Sequence, residues 1–193
     1  MEKPVVIVGL GALGSHVALF ARNWGNPLKL ADFDHIENKN VLSQFHTRMG
    51  LRRNKAQALQ QTLQGLFGTK VEAIPHRLTD SNAEALLGGS ALVIDCVDNA
   101  KTRRTIQEFV RKNSIPCLHG ALSADGAFGR IVWDELFVAD EEGEEGQATC
   151  EDGRMLPMFA LVAAQVALSA QAFLEGGARR SFQVTQSGTM RLA

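Results

Sequence analysis

Apolar residues come in short blocks separated by amphipathic stretches. Val5-Val6-Ile7-Val8 is one block, Leu28 to Phe33 a second, Val71 to Ile74 a weaker third, Ala91-Leu92-Val93-Ile94 a fourth and Ile115 to Leu118 a fifth. The first and fourth are apolar throughout, as strands covered on both faces should be. Between the blocks the period changes to that of helices. Residues 12 to 24 read as a first helix stopped by Gly25-Asn26-Pro27. Asn54 caps a second in which Ala56, Leu59, Leu63 and Leu66 share a face. Ser81 and Glu84 form a capping box for a short third, and a fourth covers about 100 to 112. Strand and helix in alternation predict an α/β fold, a doubly wound, mostly parallel sheet with helices on both faces.

The pattern then changes. Ala121 to Ser123 and Ala127 to Trp133 flank Ala124-Asp125-Gly126, a hairpin signal that puts an antiparallel edge on the sheet. Residues 134 to 152 are crowded with Asp and Glu among Gly143 and Gly146, and read as a solvated, mobile acidic loop. A long apolar helix from about Leu156 to Glu175 comes next, closed by Gly176-Gly177, and Phe182 to Val184 with Met190 to Leu192 form a last hairpin around Ser187-Gly188. No internal repeat is visible, and residues 1–193 are expected to form one domain.

Chemistry enters where the first block ends. Gly9-Leu10-Gly11-Ala12-Leu13-Gly14 succeeds the strand without a gap and opens a helix, the one context in which G-x-G-x-x-G carries meaning. Gly9 serves the tight turn, Gly11 lets backbone approach a phosphate, and Gly14 lets helix press on strand. The free N–H groups and positive end of the helix suit a nucleotide phosphate, and the fold is accordingly expected to be Rossmann-like. Alone, the fingerprint points to NAD or FAD.

Composition narrows the field. The 193 residues are 45% apolar, enough for a sizeable core, and a net charge of −1 argues against nucleic acid or an anionic membrane as the main partner. The N-terminus lacks a leader pattern, and no apolar stretch is expected to reach the roughly 18 residues of a membrane span. Cys96, Cys117 and Cys150 make no C-x-x-C pair, so neither a disulfide framework nor a zinc site is expected, and the anticipated location is cytoplasmic.

A dehydrogenase would need an acidic residue near Asp32, eighteen positions after Gly14, to meet a ribose. It has no evident use for the polar residues farther along the chain. Asp32-Phe33-Asp34 runs on to Asn40, then to Gly50-Leu51-Arg52-Arg53-Asn54-Lys55-Ala56, and the fourth strand ends in Asp95-Cys96-Val97-Asp98-Asn99 with Arg103 behind. A lysine beginning a helix beside a nucleotide pocket suits a triphosphate.

This set, in this order, resembles the ThiF/MoeB family, bacterial relatives of the ubiquitin-activating enzymes, from Val5 to about Leu174. The resemblance implies an enzyme that binds Mg-ATP and adenylates the C-terminal carboxylate of a small ubiquitin-fold or sulfur-carrier protein, or of a peptide, and that works as a homodimer. It assigns Asp32 to the ribose, Asn40 and Lys55 to the phosphates and Asp98 to magnesium. Gly9, Gly11, Ala12, Leu13, Gly14, Asp34, Arg52 and Asn99 complete the nucleotide site, and Cys150 falls in the crossover loop whose cysteine in some members bonds to the activated carrier. The chain departs from the family at Ser43, where an arginine is usual, with Arg48, Arg52 or Arg53 as candidate substitutes. The family's N-terminal arginine-bearing helix and its zinc-binding cysteine pairs have no counterpart. A nicotinamide-dependent oxidoreductase and a non-catalytic partner subunit remain the alternatives.

Little acid-base help is needed for the implied reaction. A chain-terminal carboxylate, with an ordinary pKa of about 3.5, is ionised and nucleophilic at pH 7. Bringing two anions together makes positioning and fixed positive charge the catalyst. Cys96 and Cys117 are expected to be core residues, His16, His46 and His76 structural or exposed, and His119-Gly120 to come after the fifth strand on the ligand-binding side.

Overall fold

In the computed structural model, which describes residues 2–123, 125–138 and 153–192, eight strands form one sheet. In chain order the elements are β1 (Val5–Val8), α1 (Gly14–Ala21), β2 (Leu28–Ala31), α2 (Asn40–Ser43), α3 (Lys55–Phe67), β3 (Val71–Ile74), α4 (Ala83–Leu87), β4 (Leu92–Asp95), α5 (Ala100–Lys112), β5 (Cys117–Leu122), β6 (Phe128–Trp133), α6 (Leu156–Leu174), β7 (Phe182–Thr185) and β8 (Gly188–Arg191). The spatial order is β3-β2-β1-β4-β5-β6-β7-β8, parallel through β5 and antiparallel beyond it. Strand order reverses between β1 and β4, so the loops after these strands diverge and leave a crevice at their carboxyl ends.

The continuous apolar runs divide their residues between two cores. Val5 and Ile7 of β1 face a cluster with α1, α3 and α6, whereas Val6 and Val8 face α4 and α5. The two-faced covering explains why these strands carry no polar alternation. Small residues let α6 close on the sheet. A Cβ at Gly129 would come within 2.5 Å of Val162, and one at Gly120 within 2.8 Å of Leu13 and 3.2 Å of Val166.

Several sequence expectations are corrected. α1 begins at Gly14 rather than residue 12, because residues 11–13 stay in a turn that leaves backbone donors outside the helix. β2 ends at Ala31 rather than Phe33; Asp32 still donates its N–H to Ile74 O, while its side chain turns to accept the backbone N–H of Leu10. Leu66, in the last turn of α3, is 64% exposed, while Ala56, Leu59 and Leu63 are buried as expected. The capping box at Ser81 does not form: Asn82 holds the cap position of α4, and its side-chain oxygen instead accepts from the N–H of Thr79. His119 and Gly120 lie inside β5, which continues to Leu122 and pairs directly with β6. Finally, α6 is a 19-residue stretch without a charged side chain, long and apolar enough to cross a membrane by composition. Met158, Phe159, Val162, Ala163, Val166 and Ala170 on it are buried against the sheet and α1, the environment of a core helix.

Candidate nucleotide site

The crevice is built on the glycine turn. Gly9 has φ +85°, and a Cβ there would lie 2.8 Å from the carbonyl oxygen of Cys96; one at Gly14 would overlap the carbonyl oxygen of Gly9. These two glycines are required by the protein's own packing. Gly11 is different, because a Cβ would meet nothing nearer than the Gln44 amide nitrogen at 4.0 Å. Its bare face is turned to open space, and the backbone N–H groups of Gly11, Ala12 and Leu13 donate to nothing among the described residues. Successive unused donors at a helix N-terminus form a concavity for an anion.

Asp32 stands beside it, 9% exposed. Its carboxylate accepts from the N–H of Leu10 at 2.7 Å and from that of Asp34 at 2.8 Å, which fixes the side chain and leaves further lone pairs on each oxygen for ribose hydroxyls. Burial raises its pKa, and the charge of Lys55 together with those two N–H groups offsets the rise only in part. Asn54 does more than cap α3 by accepting from the N–H of Gln57. Its side-chain nitrogen donates to the carbonyls of Asp32 and Asp34 at 2.9 and 3.2 Å, tying the β2 loop to the start of α3.

That tie delivers Lys55. The lysine is only 8% exposed, its backbone N–H donates to Asp34 O at 2.8 Å, and its ammonium lies 3.4 Å from the half-exposed Asp34 carboxylate. Its charge favours the ionised form of Asp32 and disfavours that of His46. Asn40 is buried at the start of α2, where its side-chain oxygen accepts from the N–H of Glu37 and its amide nitrogen has no partner among the described residues. Arg52 adopts φ +66° and is exposed, as are Arg48 and Arg53, and none of the three pairs its side chain within the described residues. Ser43 is fully buried, so the position where the family carries arginine points into the protein.

The opposite lip lies beyond β4. Asp98 is exposed and unpaired among the described residues, and Asn99 caps α5 by accepting from the N–H of Thr102 at 2.9 Å. The turn carrying Asp98 is held from behind by Asp95, fully buried, which accepts from Val97 N at 2.9 Å and from Arg103 Nε at 3.0 Å, while Arg103 also donates to the Val97 carbonyl. His119 joins this framework, 2.7 Å from Asp95 and 3.1 Å from Asp134, with Phe137 stacked on its ring at 4.0 Å. Asp134, which the sequence places in the solvated acidic loop, is instead 8% exposed and paired with Arg111 at 2.7 Å. Burial works against the His119 charge, but the hydrogen bonds to Asp134, Asp95 and Cys117 outweigh it and raise its pKa to about 11. Burial likewise works against the Asp134 charge, and bonds from His119, Arg111 and Gln107 overcome it to bring that carboxyl down to about 2.

His119 is therefore a structural cation and not a site residue. Its folded pKa is above the ordinary 6.5, so the stability it contributes is complete below pH 6.5 and is lost as pH rises toward 11. Asp134, shifted down from 3.8, contributes stability that is present above pH 3.8 and lost as pH falls through 2. The melting temperature is expected to decline across the alkaline range, and His119→Gln should flatten that slope. An unchanged alkaline slope in the variant would exclude His119 as its source.

The other candidates fall into place as structure. His46 is buried with Nε2 2.9 Å from the Leu10 carbonyl, and burial lowers its pKa to about 4, so it is neutral and donates. His16 is buried with its Nδ1 2.7 Å from Ala12 O, and His76 is exposed. Burial raises the Cys96 and Cys117 thiols, which are unreactive on that account. Cys150 and most of the acidic loop, residues 139–152, lie outside the described residues. Sequence reasoning missed Asn54 as a loop tie and missed Asp95, His119 and Asp134 as a unit. It also missed the run Gln44-Phe45-His46, which is fastened to the glycine turn.

Unused backbone donors at a helix N-terminus, a buried carboxylate and a buried ammonium at the switch point of a doubly wound sheet form the pattern of a nucleotide-binding α/β protein. A family model described as the ThiF family matches residues 2–190, and the chain belongs to that family. It is 29% identical over 189 residues to the sulfur carrier protein ThiS adenylyltransferase of Escherichia coli K12, covering 91% of this chain and 74% of that protein. With the SAMP-activating enzyme E1 of Haloferax volcanii it shares 31% identity over 125 residues, 63% of this chain and 46% of that enzyme. The chain thus spans less than half of the latter relative. A crystal structure of E. coli MccB with ATP superimposes with a TM-score of 0.77 at 16% identity, covering 98% of this chain and 63% of that one, which shows the shared fold.

Proposed function

We propose that this chain is a Mg-ATP-dependent adenylyltransferase that activates the C-terminal carboxylate of a small sulfur-carrier or ubiquitin-like protein, or of a peptide, in the cytoplasm. The observation that carries the reading is Lys55, a nearly buried ammonium beside the glycine turn and Asp32, where phosphate can use a fixed cation and hydride transfer cannot. Family membership and the adenylyltransferase names of the relatives support it.

In the reaction, a carboxylate oxygen of the carrier attacks the α-phosphorus of ATP. A bond forms between that oxygen and phosphorus, the bond to the bridging oxygen breaks, and pyrophosphate leaves with its electron pair. Asp32 orients the ribose, the N–H groups at Gly11 to Leu13 and the Asn40 amide hold phosphate oxygens, and Lys55 opposes the charge that builds in the transition state. Asp98 is the residue that would hold magnesium, whose positive charge favours the departing pyrophosphate. One free carboxylate suffices there, because magnesium is commonly bound through one or two carboxylates, substrate phosphates and water. Asp34, Arg52 and Asn99 frame this site, and Cys150 is proposed to receive the activated carrier.

Pyrophosphate exchange into ATP, dependent on magnesium and on a carrier with a free C-terminus, is the test. Tight NADH binding without ATP binding would overturn the assignment, and ATP binding without exchange would favour a non-catalytic partner subunit. We propose a homodimer, given the 44% and 61% exposure of Leu161 and Leu168 on α6. Light scattering that reads a single-chain mass would remove it.

A further inference from the structure

Two consecutive residues, Phe45 and His46, bind the segment after α2 to the phosphate turn. The N–H of Phe45 donates to Ser15 Oγ at 2.9 Å, and that hydroxyl donates to Gly11 O at 2.7 Å. His46 Nε2 donates to Leu10 O at 2.9 Å. Gln44, just before them, is held by its own N–H to Asn40 O at 2.9 Å. With the backbone anchored on both sides, the Gln44 side chain lies over Gly11, and its amide nitrogen is the protein atom closest to where a Cβ of that glycine would sit, at 4.0 Å.

The amide is conspicuous for what it lacks. Its oxygen is buried without a hydrogen-bond partner and, as an acceptor, cannot serve a phosphate; the nitrogen beside it donates to nothing among the described residues and is the atom left to meet an acceptor at Gly11. Leaving that oxygen buried and unpaired costs stability, so the side chain is held in place by something other than its own hydrogen bonds within the protein. No nearby side chain explains the arrangement: Ser43 is buried, and Arg48, Arg52 and Arg53 are exposed.

We infer that Gln44 is a phosphate-binding residue of this site, its side-chain nitrogen donating to the phosphate oxygen that approaches Gly11. The inference rests on the nucleotide reading above and adds to it a neutral donor over Gly11. A neutral amide stabilises ground state and transition state alike, so its contribution is to binding.

Titration calorimetry with ATP, AMP and adenosine on wild-type protein, Gln44→Ala and Gln44→Glu tests this. Gln44→Ala should weaken ATP and AMP by about tenfold to a hundredfold, the scale of one hydrogen bond to a charged group, and leave adenosine within twofold. Gln44→Glu, of the same shape but anionic, should weaken both phosphorylated ligands further. Removing the unpaired amide should leave the melting temperature of the free protein unchanged or raise it. Equal loss for all three ligands with a lowered melting temperature would make Gln44 structural and overturn the assignment, as would unaltered ATP affinity in Gln44→Ala. Wild-type protein that binds none of the three would overturn the nucleotide reading itself.

Discussion

Lys55→Ala should slow ATP–pyrophosphate exchange by roughly two to three orders of magnitude, the scale of losing one preorganised stabilising donor. The ammonium is nearly buried and its backbone is pinned through Asp34 and Asn54, so its position at the start of α3 is fixed before substrate arrives. Removing a charge that acts chiefly on the developing transition state should lower kcat and kcat/KM together. Asp98→Ala should act similarly by loosening the metal. Asp32→Ala should mainly raise KM for ATP, since a ribose contact is present before and during the reaction. A Lys55→Ala protein exchanging within fivefold of wild type would remove the lysine from the mechanism.

Asp95→Ala should be the most damaging change for stability, costing about 3–5 kcal/mol, the range for breaking a buried ion pair from one side. For a chain of this size that lowers the melting temperature by roughly 6–20 °C. Asp95 is completely buried and serves His119, Arg103 and the N–H of Val97 at once, so its loss leaves two buried cations and one backbone donor short of a partner. The Asp98 turn would loosen with it, coupling the stability loss to reduced exchange. Asp95→Asn keeps the shape without the charge and should fall between wild type and Asp95→Ala. A melt within 2 °C of wild type for Asp95→Ala would show that the cations are satisfied elsewhere.

Local signals carried most of the scaffold. The unbroken apolar runs became β1 and β4 at the centre of the sheet, the Asn54 cap formed as read, and α5 matches its expected limits because Asn99 caps it and Arg111 and Lys112 close it. The glycine turn and the loops after β2 and β4 meet at one crevice because parallel strands bring their carboxyl ends together. The misreadings all depend on distant partners. Nothing within the run of acids shows that Asp134 is buried, because its partners lie on β5 and α5. Leu66 fits the helical period of the buried Ala56, Leu59 and Leu63, yet the packing around the last turn of α3 leaves it exposed. Gln44 gave no signal at all, since a lone amide has no diagnostic spacing and its relation to Gly11 arises from the fold.

The place of α6 in the chain governs the timing of synthesis. Most of the apolar surface it covers comes from α1, β5 and β6, which precede it in the chain, and the notches at Gly120 and Gly129 that receive Val166 and Val162 are complete once Trp133 has been made. About forty more residues must be added before the helix that fills them is finished, which at roughly 5–20 residues per second leaves the surface bare on the nascent chain for about 2–8 seconds. A half-covered sheet is what chaperones recognise and what aggregates, so the supply of working protein is sensitive to how quickly this one helix arrives.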